Sequence, residues 1–170
     1  MKDYIYIDFD GVILDSEKRM LDRKHSLGLL DDNNKEEFVK YFYYTVSHPE
    51  EWSYILEEAC VINNSTEIIR ELELLKIKIA ILTKVHTMQE MKIKTKILRF
   101  KENINCPILF VPQGIKKHQF ILPDNQLLID DSETNVVSWI NHGGRGILFD
   151  KNSNENTIEK TNSLKILLRR

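Results

Sequence analysis

The chain has 170 residues, 42% of them apolar, enough for one domain with its own core. Its 24 basic and 26 acidic residues leave a net charge of −2, which excludes a general polyanion binder but not a local basic face. Two distant cysteines, Cys60 and Cys106, exclude a disulfide scaffold and a zinc knuckle and suit a reducing compartment.

The N-terminal residues contain no secretory apolar region, because Asp3, Asp8 and Asp10 interrupt the run. No stretch approaches the roughly 18 apolar residues of a membrane span. A soluble, cytoplasmic protein with no membrane partner is expected. Tyr4 to Ile7 reads as a first buried strand. Residues 14–62 then read as two or three helices with no strand, and seven of the fifteen aromatics fall between Phe38 and Tyr54. This is the composition of a small helical subdomain. Ser65 or Thr66 can cap a helix whose stripe is Ile68, Ile69, Leu72 and Leu75. Ile77 to Leu82 is a second strand.

Met88 to Phe100 is predicted helical, but its apolar residues form two stripes, Met88/Met91/Leu98 and Ile93/Ile97/Phe100. Six basic residues between Lys84 and Lys101 read as a solvated face, with Glu90 and Lys94 spaced as an i,i+4 pair. Ile108 to Val111, Leu127 to Ile129 and Gly146 to Phe149 are three further strands. Between the last two, Ser132 or Thr134 can start a helix with Val136, Val137 and Ile140 inward and Gly143-Gly144 as its stop. The tail from Lys151 is polar until Leu164, after which a short helix is expected. Strand alternating with helix predicts a parallel sheet covered on both faces.

Two strands end in paired acids. The first runs into Asp8-Phe9-Asp10-Gly11-Val12, with Gly11 permitting a tight turn. The fourth runs into Asp130-Asp131-Ser132. Carboxylates at buried strand tips are costly unless a cation or a base meets them. If the two strands are neighbours, three or four carboxylates converge, and an oxygen-only donor set favours Mg²⁺ over zinc. Thr83 ends the second strand, and Lys116 and Lys117 precede the fourth.

In this order the motifs resemble the haloacid dehalogenase superfamily of phosphohydrolases. The stretch from Leu127 to Phe149 is also similar to the 5′(3′)-deoxyribonucleotidase branch. The resemblance implies a three-layer α/β/α Rossmann-like parallel sheet of order 5-4-1-2-3. The core would comprise residues 1–13 and 63–170, and residues 14–62 a small helical cap inserted after strand 1. Asp8 would be the nucleophile, forming an aspartyl-phosphate, and Asp10 the acid and then the base. Thr83 would donate to a phosphoryl oxygen, Lys117 would neutralise charge and hold Asp8, and Lys116 and Lys84 would contact substrate. Mg²⁺ would be held by Asp8, the Asp10 carbonyl and Asp131, with Asn135 in support and Asp130 in the outer shell or on a metal-bound water.

The function implied is Mg²⁺-dependent hydrolysis of a small phosphomonoester, a metabolite or a nucleoside monophosphate, by a monomer or homodimer. The aromatics Phe38 to Tyr54 could stack on a nucleobase or form the core of the cap, the second reading being preferred for any single residue. His86 and His118, beside Thr83 and Lys117, could touch substrate. The rivals are a nucleic-acid end phosphatase, a non-catalytic relative that binds a phosphoryl ligand, and a receiver-type signalling domain. Nucleic acid is disfavoured as a partner. The receiver lacks support because the third strand carries no Asp.

Overall fold

The fold comes from a computed structural model, which describes residues 4–29, 35–152 and 160–169. Residues 153–159, the Asn- and Ser-rich part of the tail, lie outside the described residues. Six parallel strands form one sheet: β1 (Ile5–Ile7), β2 (Ile79–Val85), β3 (Ile108–Pro112), β4 (Leu127–Asp130), β5 (Arg145–Phe149) and β6 (Lys160–Thr161). Their order is β3-β2-β1-β4-β5-β6. The expected five-strand order is present, and β6 extends the β5 edge. A two-residue strand has no periodicity to read, which is why β6 is not visible in the sequence.

The central strand β1 pairs on one side with β2, Ile7 opposite Ile81, and on the other with β4, Ile7 opposite Ile129. Alternation then sorts the strand residues between two faces. Ile7, Ile79, Ile81, Leu127 and Ile129 join one core with α4 (Ser65–Leu74), α5 (Met88–Lys96) and the C-terminal 3-10 helix Leu164–Arg169. Tyr6, Ala80, Leu82 and Leu128 join the other with Trp139 of α7 (Glu133–Asn141). The short helix α6 (Lys117–Phe120) lies against α7. Both faces are covered, which is what lets the strands be apolar throughout.

Between β1 and α4 the chain forms three helices: α1 (Ser16–Ser26), α2 (Lys35–Ser47) and α3 (Pro49–Glu58). The Asp15 carboxylate accepts from the Lys18 N–H and caps α1, and Pro49 occupies the first turn of α3. The two ends of this insertion meet. Leu14 bridges Val61 antiparallel, the Ile62 N–H donates to the Ile13 carbonyl and the Asp15 N–H to that of Cys60.

Three expectations about helices change. Asn64, in the left-handed region at φ 56°, precedes α4, and the Ser65 hydroxyl donates to the Ile13 carbonyl instead of capping. Leu75 falls outside that helix and is exposed. In α7 the cap is Ser132, as expected, but Val137 and Ile140 are 49% and 47% exposed. The inward positions are Val136 and the fully buried Trp139. Finally, α5 passes into a π-helical turn at Ile97–Lys101. A π turn carries an extra residue and rotates the apolar stripe about the axis, so one helix shows two stripes. Phe100 is left 83% exposed by it.

Candidate active site

The C-terminal ends of β1, β2 and β4 meet at a cavity of about 310 Å³. Ligands of open α/β sheets bind at this edge, where strand order reverses. Its wall on the sheet side carries Asp8, Asp10, Gly11, Lys84 and Asp131, while α1, α2 and α3 close it with Met20, Phe38, Phe42 and Trp52.

Asp8 and Asp130 leave β1 and β4 on the face that carries α6. There the buried Lys117 ammonium donates to both, at 2.8 Å to Asp8 Oδ1 and 2.6 Å to Asp130 Oδ2. Asp8 Oδ1 also accepts from the Phe9 N–H at 2.8 Å, and among the described residues Oδ2 has no hydrogen bond. Burial raises the Asp8 carboxyl above its ordinary value, Lys117 opposes that rise, and Asp130 and Asp10 add to it. Asp130 is saturated: it accepts from Lys117, the Ser132 N–H at 2.9 Å and the Asn135 amide at 3.0 and 3.1 Å. Asn135 therefore supports Asp130, not Asp131.

Asp131 makes no hydrogen bond among the described residues. It still meets solvent, but the bulk of surrounding chain, followed by the charges of Asp8, Asp130 and Asp10, pushes its carboxyl up to about 8. Gly11 allows this crowding. It has φ +72°, and a Cβ there would stand 2.0 Å from Asp131 Oδ2. One carboxylate oxygen from each of Asp8, Asp130 and Asp131 lies within 4.8 Å of the other two. An oxygen-only set with one unpartnered, proton-retaining carboxylate fits a hard divalent cation.

Asp10 is held from the opposite face of the sheet. Thr83 shares its parity with Ile79 and Ile81 and so meets α5, where Lys94 has no exposed surface. The Lys94 ammonium donates to Asp10 Oδ2 at 2.6 Å, Thr83 Oγ1 at 2.9 Å and the Lys84 carbonyl at 3.0 Å, and pairs with Glu90 at 2.9 Å. Asp10 Oδ1 is buried without a partner among the described residues. Glu90 in turn accepts from the His86 N–H at 2.8 Å. Burial opposes ionisation of Glu90, but His86 and Lys94 outweigh it and hold the carboxyl down at about 2. Lys94 is likewise kept above its usual value, against burial, by Asp10 and Glu90.

The Thr83 hydroxyl is thus engaged by Lys94 and is not among the cavity-lining residues; Lys84 is, and Lys116 is exposed outside the lining. Lys94, Glu90, Met20, Ser16 and Glu17 are lining or supporting residues that sequence reasoning missed. The expectation of a solvated basic face holds at Lys84, Lys92, Lys96 and Lys101, which are exposed, Lys96 pairing with Glu57, and fails at Lys94, which is buried with Glu90. Phe38, Phe42 and Trp52 face the cavity, whereas Tyr43, Tyr44 and Tyr54 are exposed. His86 lines the cavity; His118 stacks on His142 instead.

A larger cleft of about 620 Å³ lies at the opposite end of the sheet. Its Arg70 donates to the Glu102 carbonyl and its Glu73 accepts from the Asn105 and Cys106 N–H groups, so these polar groups are occupied by the fold.

No family model and no curated protein matches the sequence. Solved structures do match. YfnB of Bacillus subtilis, described as a HAD-hydrolase and bound to magnesium, superposes with a TM-score of 0.65 at 14% identity, over 99% of this chain and 97% of its own. The fold is that of the haloacid dehalogenase-like hydrolases. A HAD-superfamily hydrolase of Ehrlichia chaffeensis superposes with a TM-score of 0.57 at 13% identity, over 99% and 96% of the two chains. D,D-heptose 1,7-bisphosphate phosphatase of Burkholderia thailandensis gives 0.50 and 16%, over 87% and 78%. Among the described residues no helix is long and apolar enough to cross a membrane.

Proposed function

We propose that this chain is a Mg²⁺-dependent phosphatase that hydrolyses a small phosphomonoester through an aspartyl-phosphate on Asp8. The observation that carries the reading is the division of the acids. Asp8 is locked by Lys117 with one oxygen left over, while Asp10, two residues on, is locked by Lys94 with one oxygen left over. A nucleophile and a separate proton carrier need that arrangement.

Asp8 Oδ2 attacks phosphorus, the ester P–O bond breaks, and Asp10 delivers a proton to the departing oxygen. In the second half Asp10 takes a proton from water as that water attacks the phosphorus of the acyl phosphate, releasing phosphate and restoring Asp8. Lys117 keeps Asp8 oriented and offsets negative charge beside it; Lys84, at the cavity wall, faces the incoming phosphoryl group. Asp8, the Asp10 carbonyl and Asp131 would hold Mg²⁺, with Asp130 positioning Lys117 and Asn135 behind them. When bound, the ion supplies electrostatic stabilisation of the charge gathered on the phosphoryl oxygens. Residues 14–62 serve as the cap that closes the cavity and excludes water.

The magnesium-bound neighbour and the phosphatase among the matched structures support this reading, as does the acidic trio. A nucleic-acid end is a poorer substrate for a cavity closed by three helices, and Lys94 of α5 is spent within the site on Asp10 and Glu90. Hydrolysis of a phenyl phosphate should require Mg²⁺ and be abolished in Asp8→Asn. Hydrolysis that survives either change overturns the reading.

A further inference from the structure

Resting on the phosphatase reading, we infer that the cavity selects esters whose leaving group carries a flat aromatic ring and no second anionic group. The non-reacting half of the cavity is made by Met20 from α1, Phe38 and Phe42 from α2 and Trp52 from α3. Each helix of the insertion contributes an apolar or aromatic wall. Phe42 meets Trp52 and His86 edge to face, at centroid separations of 6.2 and 5.6 Å. Such an array accepts a further flat ring by offset or edge contact. At about 310 Å³ the space lies at the small end of ligand sites, which run from ~300 to ~1,000 Å³.

Charge narrows the class further. The charged lining comprises Asp8, Asp10, Glu17, Glu90 and Asp131 against a single lysine, Lys84. Glu17, exposed at the edge of the cavity, has no ion-pair or hydrogen-bond partner among the described residues. With Lys84 facing the transferring phosphoryl group, a second phosphate or a carboxylate on the leaving group would meet Glu17 uncompensated. The hydrogen-bond inventory is short for a polyhydroxylated group set against these apolar walls. Away from the reacting carboxylates and the ion-paired Glu90 the polar lining is Ser16, Glu17, Lys84, His86, Asn135 and the Trp52 indole N–H. The Asn135 amide is committed to Asp130, while Trp52 Nε1 and His86 Nδ1 are buried without a hydrogen-bond partner among the described residues. A sugar ring standing in place of the aromatic one would desolvate several of its hydroxyls against Met20, Phe38 and Phe42.

Benzyl phosphate and nucleoside monophosphates share the ring chemistry, and a hexose monophosphate and a hexose bisphosphate lack it. All four can present primary-alcohol leaving groups, so their kcat/KM values with Mg²⁺ report recognition. At least one ring-bearing ester should exceed the hexose monophosphate by about tenfold or more, with the bisphosphate lowest. The two ring-bearing arms distinguish a simple aryl group from a nucleoside. Phe42→Ala and Trp52→Ala, checked for folding by thermal melting, should narrow that ratio, and Glu17→Gln should raise the bisphosphate selectively. Binding of benzylphosphonate, followed by tryptophan fluorescence and lost in Phe42→Ala, reads the ring site without turnover. Hydrolysis with the hexose esters equal or ahead overturns the inference and leaves the phosphatase reading standing. Phosphonate binding that depends on Phe42, with no ester hydrolysed, supports the ring site and overturns the phosphatase reading. Neither hydrolysis nor binding that depends on Phe42 overturns both.

Discussion

Lys94 has no exposed surface and is surrounded by Asp10, Thr83, Glu90 and the Lys84 carbonyl, with the Phe9 ring 5.1 Å from its ammonium. Removing its charge while keeping its length, in Lys94→Met, strands two carboxylates. The variant should lose about 3–5 kcal/mol of stability, as broken buried pairs do. Its kcat should fall by about 100-fold or more if Asp10 is the proton carrier proposed above, because that carboxylate is no longer held. Denaturant melts and steady-state kinetics check the two effects, and a smaller effect on KM than on kcat marks Asp10 as the target. Gly11 makes a different demand. Gly11→Ala adds a Cβ at φ +72° that collides with Asp131, so Mg²⁺ affinity should drop about 10-fold or more by calorimetry. The acids themselves were legible in the sequence, since paired carboxylates at strand tips call for a cation; of the two adjacent lysines, it is the structure that turns Lys117 inward onto Asp8 and Asp130. Lys94 was not legible. Its i,i+4 spacing from Glu90 is the same for a solvated pair as for a buried one, and what buries it is Asp10, remote in the chain.

At the scale of elements, alternation of strand and helix was enough to give a parallel sheet, while its strand order came with the family resemblance and not from the pattern. The orientation of helices was harder to read. In α7 an aliphatic stripe through Val137 and Ile140 competes with one through Val136 and Trp139, and nine residues are too few for periodicity to decide. Packing decides. The Trp139 indole N–H donates to the Gln126 carbonyl at 2.9 Å and its ring meets Tyr6 edge to face at 5.5 Å, fixing α7 across β1 and β4. Gly144 leaves room for it, since a Cβ there would lie 2.2 Å from the indole nitrogen. Trp139→Ala should therefore cost about 3–5 kcal/mol, whereas Val137→Ser should stay within about 0.5 kcal/mol. Equilibrium unfolding in urea separates them. The two stripes of α5 have another origin, a π turn that no residue type signals, so the sequence shows its consequence but not its cause.

Across the whole molecule, the sheet order places like charges side by side, and this ties global stability to pH and to metal. Asp8 and Asp131 are raised in the fold, the latter from 3.8 to about 8, so between those values the folded apoprotein binds more protons than the unfolded chain. Stability then falls as pH rises through that window, because the slope of unfolding free energy with pH follows the protons bound by the unfolded state minus those bound by the folded one. Glu90 acts in the opposite sense. Its carboxyl is depressed to about 2, so its contribution is complete above the ordinary glutamate range and lost as pH falls towards 2. The apoprotein should therefore melt highest in mildly acidic buffer and several degrees lower near pH ~8. Mg²⁺ binds only ionised carboxylates, so it should raise the melting temperature most at the alkaline end, flattening the curve, and release protons as it binds. Melting curves across this range, with chelator and with Mg²⁺, provide the check. An apoprotein whose stability climbs steadily from pH ~5 to ~8, with no added protection from Mg²⁺ at the upper end, would show that the acidic tips are relieved by something other than a cation.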